Sequence, residues 1–139
     1  MRSFDPPGVK RPVGAYSHGV AAGGELLFIS GQTPERPDGT LPTDPEEQFR
    51  QIWANVEAVL RSAGAELGDL VHVRTYLADR RYAEANSDVR RQVLGNRTPA
   101  LTVIICELFE SAWVGEIEAI ATLTAADQPP REGRRFDPG

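Results

Sequence analysis

The stretch RTPALTVIICEL, residues 97–108, constrains the fold more than any other part of the chain. From Ala100 to Cys106 only Thr102 is polar. A strand with one wet face alternates apolar and polar residues, so this strand reads as dry on both faces. The segment GGELLFISGQ, residues 23–32, behaves similarly: Leu26, Phe28 and Ser30 share one face, and Leu27, Ile29 and Gly31 share the other. Two dry faces need two covers.

The rest of the chain supplies cover for one. DPEEQFRQIWANVEAVLRSAG, residues 44–64, places Phe49, Ile52, Trp53, Val56, Val59 and Leu60 at helical spacing. Asp44 suits its N-cap, Pro45 its first turn, Glu47 a capping box, and Gly64 its stop. RYAEANSDVRRQVLG, residues 81–95, is a shorter helix with Tyr82, Ala85, Asn86, Val89 and Val93 along one side and Gly95 at its end. DLVHVRTYLAD and WVGEIEAIATL are the remaining strands. Each helix has a single apolar stripe, and two such helices cover one face of a sheet. The other face calls for a second copy of the chain, because symmetric self-association is the common solution; a loop is the alternative cover.

At 139 residues the chain is long enough for one domain, and such a domain buries roughly 68% of its unfolded surface. Residues 1–8 and 125–139 read as mobile tails, rich in Pro, Gly and charge. Fifteen basic against twenty acidic residues leave a net charge of −5, which argues against nucleic acid. One cysteine, Cys106, excludes an internal disulfide and reads as an inert buried thiol. No run approaches a membrane span and the N-terminus lacks a signal-peptide core, so a cytoplasmic protein without a membrane partner is expected.

Few residues carry chemistry. Glu116 and Glu118 lie two apart in the last strand and share a face. A carboxylate in a covered sheet needs hydrogen bonds or a cation, or its pKa rises. Arg74 or a neighbouring subunit is a candidate partner for Glu118. The two histidines, His18 and His72, have no partner at metal-ligand spacing, so neither a metal nor a cofactor is expected. His72 reads as structural. His18, beside Tyr16 in GAYSHGV, is placed to line a cleft, with packing as the alternative. The glycines at 64–68 fit no phosphate loop.

Six pieces in register, GAYSHGV, LLFISGQTP, FRQIWANVEAVLRSAG, GDLVHVRTYLAD, TPALTVI and GEIEAIA, resemble the YjgF/RidA family of reactive intermediate deaminases, also known as the endoribonuclease L-PSP family. The resemblance spans residues 9–123. It implies an α+β, chorismate-mutase-like subunit, with a mixed sheet carrying two helices on one face and three copies closing into a barrel-like homotrimer. It implies small-molecule pockets between subunits and hydrolysis of imines or enamines to a keto acid and ammonia. In that pattern an arginine grips the substrate carboxylate and a glutamate positions water. Glu116 matches the glutamate; Tyr16, Ser30, Gly31 and Asn86 match pocket or near-pocket positions.

The arginine does not match. The family pattern reads Pro, a small residue, Arg; this chain reads Pro99, Ala100, Leu101, and Val103 stands where cysteine is frequent. A guanidinium grips a carboxylate through two parallel charge-assisted hydrogen bonds, and leucine supplies none. Two expectations follow. Either the pocket is repurposed, with Leu101 and Val103 favouring a neutral, apolar ligand, Glu116 acting as general acid or base, and Tyr16 and His18 assisting; or the chain is a non-catalytic trimer that binds a small molecule or a protein. RNA cleavage, the third activity linked to the family, is disfavoured by the acidic balance.

Overall fold

The computed structural model describes residues 1–123. Strand β1 (Arg2–Phe4) pairs antiparallel with β2 (Gly19–Ala21) in a short ribbon. The main sheet contains β3 (Glu25–Gln32), β4 (Leu70–Leu77), β5 (Ala100–Ile105) and β6 (Gly115–Leu123), in the spatial order β3-β6-β4-β5. Only β4 and β5 run parallel, and helix α2 (Ala83–Leu94) crosses between them. Helix α1 (Pro45–Ser62) follows β3. The architecture is therefore α+β, a mixed sheet with two helices.

Both helices lie on one side. Val73, Thr75 and Leu77 of β4, Ile117, Ala119 and Ala121 of β6, and Ile29 of β3 point toward them and are buried. From α1 come Phe49, Ile52, Trp53, Val56 and Leu60; from α2 come Val89 and Leu94. Asp44 caps α1 by accepting from the Glu47 amide at 3.1 Å, while the Glu47 carboxylate is engaged by Arg50 instead of completing a capping box. Gly64, at φ +70°, and Gly95, at φ +60°, supply the positive φ that glycine tolerates at the end of each helix.

Among the described residues, nothing covers the other side of the sheet. Leu26 and Phe28 are 44% and 70% exposed, and Ile104 is 42% exposed. Strand β5 is an edge, and Val103 and Ile105 on its helix-facing side are exposed as well. The two dry faces expected from residues 100–106 are thus both incompletely covered by the described residues. Cys106 is half-buried, less enclosed than its apolar neighbourhood suggested.

Two expectations need correction. Residues 1–8 are not simply a tail, because Arg2, Ser3 and Phe4 pair with Ala21, Val20 and Gly19. In β3, strict alternation places Gly31 with Ile29; a bulge between Ile29 and Gln32 breaks it. Gln32 then stands opposite Ile117, a helix-facing residue, which turns Gly31 to the open face. The tail expected at 125–139 lies outside the described residues.

Candidate functional site

The open face of the sheet holds a compact polar group. In the β4–β6 pairing, Arg74 stands opposite Glu118 and Tyr76 opposite Glu116. Arg74 Nη1 donates to Glu118 Oε1 at 2.9 Å, and the Tyr76 hydroxyl donates to the same oxygen. The Tyr76 hydrogen bond first, and Arg74 after it, lower the Glu118 pKa against the opposing effect of burial. Arg74 is thus the expected partner of Glu118. A shallow hollow of 110 Å³ adjoins this group, with Phe28, His72 and Ile120 in its wall. Burial, and Arg74 beside it, push the His72 pKa down.

Glu116 has the opposite electrostatics. Burial raises its pKa, and the charge of Glu118 raises it further. Its carboxylate lies against Gly31: a β-carbon there would overlap Oε2 and stand 2.8 Å from Cδ. Gly31 therefore makes room for the acid, and the bulge in β3 brings it there. Ser30, next to it, is exposed, and its carbonyl accepts from Gln32 Nε2 at 3.0 Å. Among the described residues, no ion pair reaches Glu116.

Leu101 and Val103 stand elsewhere. Their neighbours in the parallel pairing are Val73 and Thr75, which face the helices. Glu116 neighbours Tyr76 on the opposite face. Within one chain the apolar pair and the acid are on different sides of the sheet, so the expected apolar wall around Glu116 is not formed by one chain's Leu101. The sequence alone did not reveal this, because it depends on strand register.

Tyr16 and His18 flank Ser17, which lies beside the start of β5. The Ser17 amide donates to the Pro99 carbonyl at 3.1 Å, and Ser17 bridges Ala100, which ties this loop to the strand. Tyr16 meets His18 edge to face, with ring centroids 5.9 Å apart. His18 is engaged by the N-terminal segment: its amide donates to Asp5 Oδ1 at 2.8 Å, and its Nε2 pairs with the Lys10 carbonyl. A depression of 560 Å³ beside them is walled by Asp5, Pro6, Pro7, Val9, Arg11, Pro12, Gly14 and Tyr16; His18 helps to hold its rim. Asn86 is buried on α2, and its Oδ1 has no partner among the described residues. One residue was missed from the sequence. Arg90 is also buried, one turn after Asn86, with Nε unpartnered among the described residues. Its signal was its place on the Asn86–Val89–Val93 stripe.

Known proteins share this fold. The RutC family protein PH0854 of Pyrococcus horikoshii is 34% identical over 113 residues, covering 80% of this chain and 89% of that protein. The crystal structure of YyfB from Yersinia pestis, a Rid-family protein of unknown function, superposes with a TM-score of 0.79 at 31% identity, covering 88% of this chain and 98% of that one. Escherichia coli TdcF, solved with bound serine, gives a TM-score of 0.68 at 26% identity over 89% of this chain and 100% of TdcF. Residues 8–123 match the endoribonuclease L-PSP family profile. With six motifs in register, this sheet and these matches, the chain belongs to the endoribonuclease L-PSP family, the YjgF/RidA group of Rid proteins.

Proposed function

We propose that this chain is a Rid-type small-molecule hydrolase that acts on an imine or enamine in a pocket formed between copies of the chain. Glu116 is the general acid and base. The observation that carries this reading is the state of Glu116: partly desolvated, raised in pKa, and seated on a glycine that leaves its carboxylate room. Its neighbour Glu118 has both available donors, Arg74 and Tyr76. A carboxyl group tuned upward takes and returns a proton nearer neutral pH. The serine bound to TdcF supports a small amino-acid-like ligand for this family of pockets.

The chemistry needs one such group. Glu116 takes a proton from water as the water oxygen bonds to the imine carbon. The protonated Glu116 then gives that proton to the nitrogen, forming a carbinolamine. It next takes the carbinolamine hydroxyl proton and delivers it to the nitrogen as the C–N bond breaks, so that ammonia leaves a carbonyl product. Glu116 ends ionised, as it began.

A homotrimer supports the site. The open face exposes Leu26, Phe28 and Ile104, which a sheet from another copy would cover. Leu101 and Glu116, on opposite faces of one chain, share a pocket only when two copies meet. In that pocket Leu101 and Val103 form an apolar wall, Ser30 and Gly31 the floor beside Glu116, and Tyr16 and Asn86 the polar rim. A non-catalytic binding trimer is the second reading, favoured by Leu101 at the strand position where the family pattern has arginine.

The test generates imines in place from amino acids with an amino-acid oxidase and follows release of the carbonyl product. Glu116→Gln is expected to slow release at least about 100-fold while the assembled size is unchanged. An unchanged rate refutes the role of Glu116. Ligand binding without turnover of any imine selects the second reading.

A further inference from the structure

Arg90 is the one charged side chain buried among the described residues, at 7% exposure. It sits in the inner stripe of α2 with Val89 and Leu94, where an apolar residue is the ordinary occupant. No hydrogen bond or ion pair reaches it among the described residues, and its Nε is fully enclosed. Asn86, one turn before it and 2% exposed, leaves Oδ1 equally unpartnered. Two polar groups stacked at i and i+4 on a buried stripe are costly unless something else completes them.

Tyr16 is close enough to Arg90 to act on its charge. Burial pushes the guanidinium pKa down, with Arg91 adding to that effect and nearby Tyr16 opposing it. Tyr16 belongs to the loop that Ser17 ties to Pro99 and Ala100. Leu101 is next along β5, on the helix-facing side, and packs partly on the core. Helix α2, the Tyr16 loop and the start of β5 thus converge on the helix side of the sheet.

We propose that Arg90 is the anion seat of this pocket and binds the carboxylate of a small organic acid. The guanidinium comes from the helix, while the strand position contributes only the Leu101 wall. A planar fork of N–H donors in a dry site matches a carboxylate better than any neutral group. The neutral ligand expected from Leu101 alone is replaced by one with an anionic end at Arg90 and an apolar side against Leu101. The proposal rests on the small-molecule reading of the pocket but not on turnover.

Binding to the intact chain tests it. The probes are 2-oxobutanoate and its uncharged amide, followed by ligand-observed NMR and titration calorimetry. The carboxylate is expected to bind at least about tenfold more tightly than the amide. Arg90→Met should remove that preference, and Arg90→Lys should keep part of it. Glu116→Gln should keep or widen the preference, because it removes a like charge from the same pocket, even where it abolishes turnover, which separates failure here from failure of the catalytic reading. Should Arg90→Met not fold, the unmodified chain still decides. Equal binding of the two probes, or binding of neither at millimolar concentration, overturns the proposal. So does an Arg90→Met variant that keeps carboxylate affinity, or one that changes only the assembled size, since Arg90 would then pair across an interface.

Discussion

Gly31 stands against the Glu116 carboxylate with no room for a β-carbon between them. The two residues come from different strands and meet because β3 bulges beside β6. Gly31→Ala is therefore expected to turn the carboxylate away without unfolding the sheet. A misplacement of about 1 Å at a reacting group can cost roughly 100-fold in rate. Imine hydrolysis by Gly31→Ala should fall at least about tenfold, with the circular dichroism spectrum unchanged. Full activity would show that the position of Glu116 is immaterial.

The two glutamates should titrate in opposite directions. Glu116 is raised by burial and by Glu118; Glu118 is lowered by the Tyr76 hydrogen bond and Arg74. The folded chain holds the Glu116 proton more tightly than the unfolded chain, so this group costs stability as pH rises through its unfolded and then its folded pKa. Glu118 does the reverse: its stabilisation is present above its unfolded pKa and is lost as pH falls through its folded pKa. Carboxyl-labelled NMR titration should find Glu116 titrating above Glu118. Glu118→Gln should bring the Glu116 midpoint down, because it removes a like charge. Hydrolysis should rise with pH along the Glu116 titration.

Gln48 joins parts of the chain that are distant in sequence. Its buried side chain donates from Nε2 to the carbonyls of Pro42 at 3.0 Å and Ala112 at 3.2 Å, and its Oε1 accepts from the Val114 amide at 2.9 Å. Gln48→Ala leaves these backbone groups without partners. The expected loss is roughly 2–4 kcal/mol in urea unfolding. A change below about 0.5 kcal/mol would mean water replaces the amide.

Phe28 is the most exposed large side chain on the open face, at 70%. An aspartate there would place a charge in any sheet-to-sheet contact. Phe28→Asp should reduce the assembled size to that of one chain by light scattering, while far-ultraviolet dichroism keeps its shape. An assembly that is unchanged would place the contact elsewhere.

The sequence made the helices and the sheet strands legible because their signals are local. Phe49, Ile52, Val56 and Leu60 recur at one helical period, and Asp44 caps where a cap belongs. Strand β1 was not legible, since Arg2–Phe4 becomes a strand only through pairing with Gly19–Ala21. The bulge that turns Gly31 to Glu116 and the opposed faces of Leu101 and Glu116 are facts of register between strands. Arg90 was hidden for a chemical reason: an arginine in a charged helix reads as solvated. Its i+4 spacing from Asn86 and its place beside Val89 were the available clues.

Strand β5 forms one border of the sheet, and from Ala100 to Ile105 it has no charge, no proline and no bulge. Those are the usual guards against promiscuous strand pairing. A chain with this margin bare is therefore adhesive. Slow or crowded refolding should favour clumping through this margin.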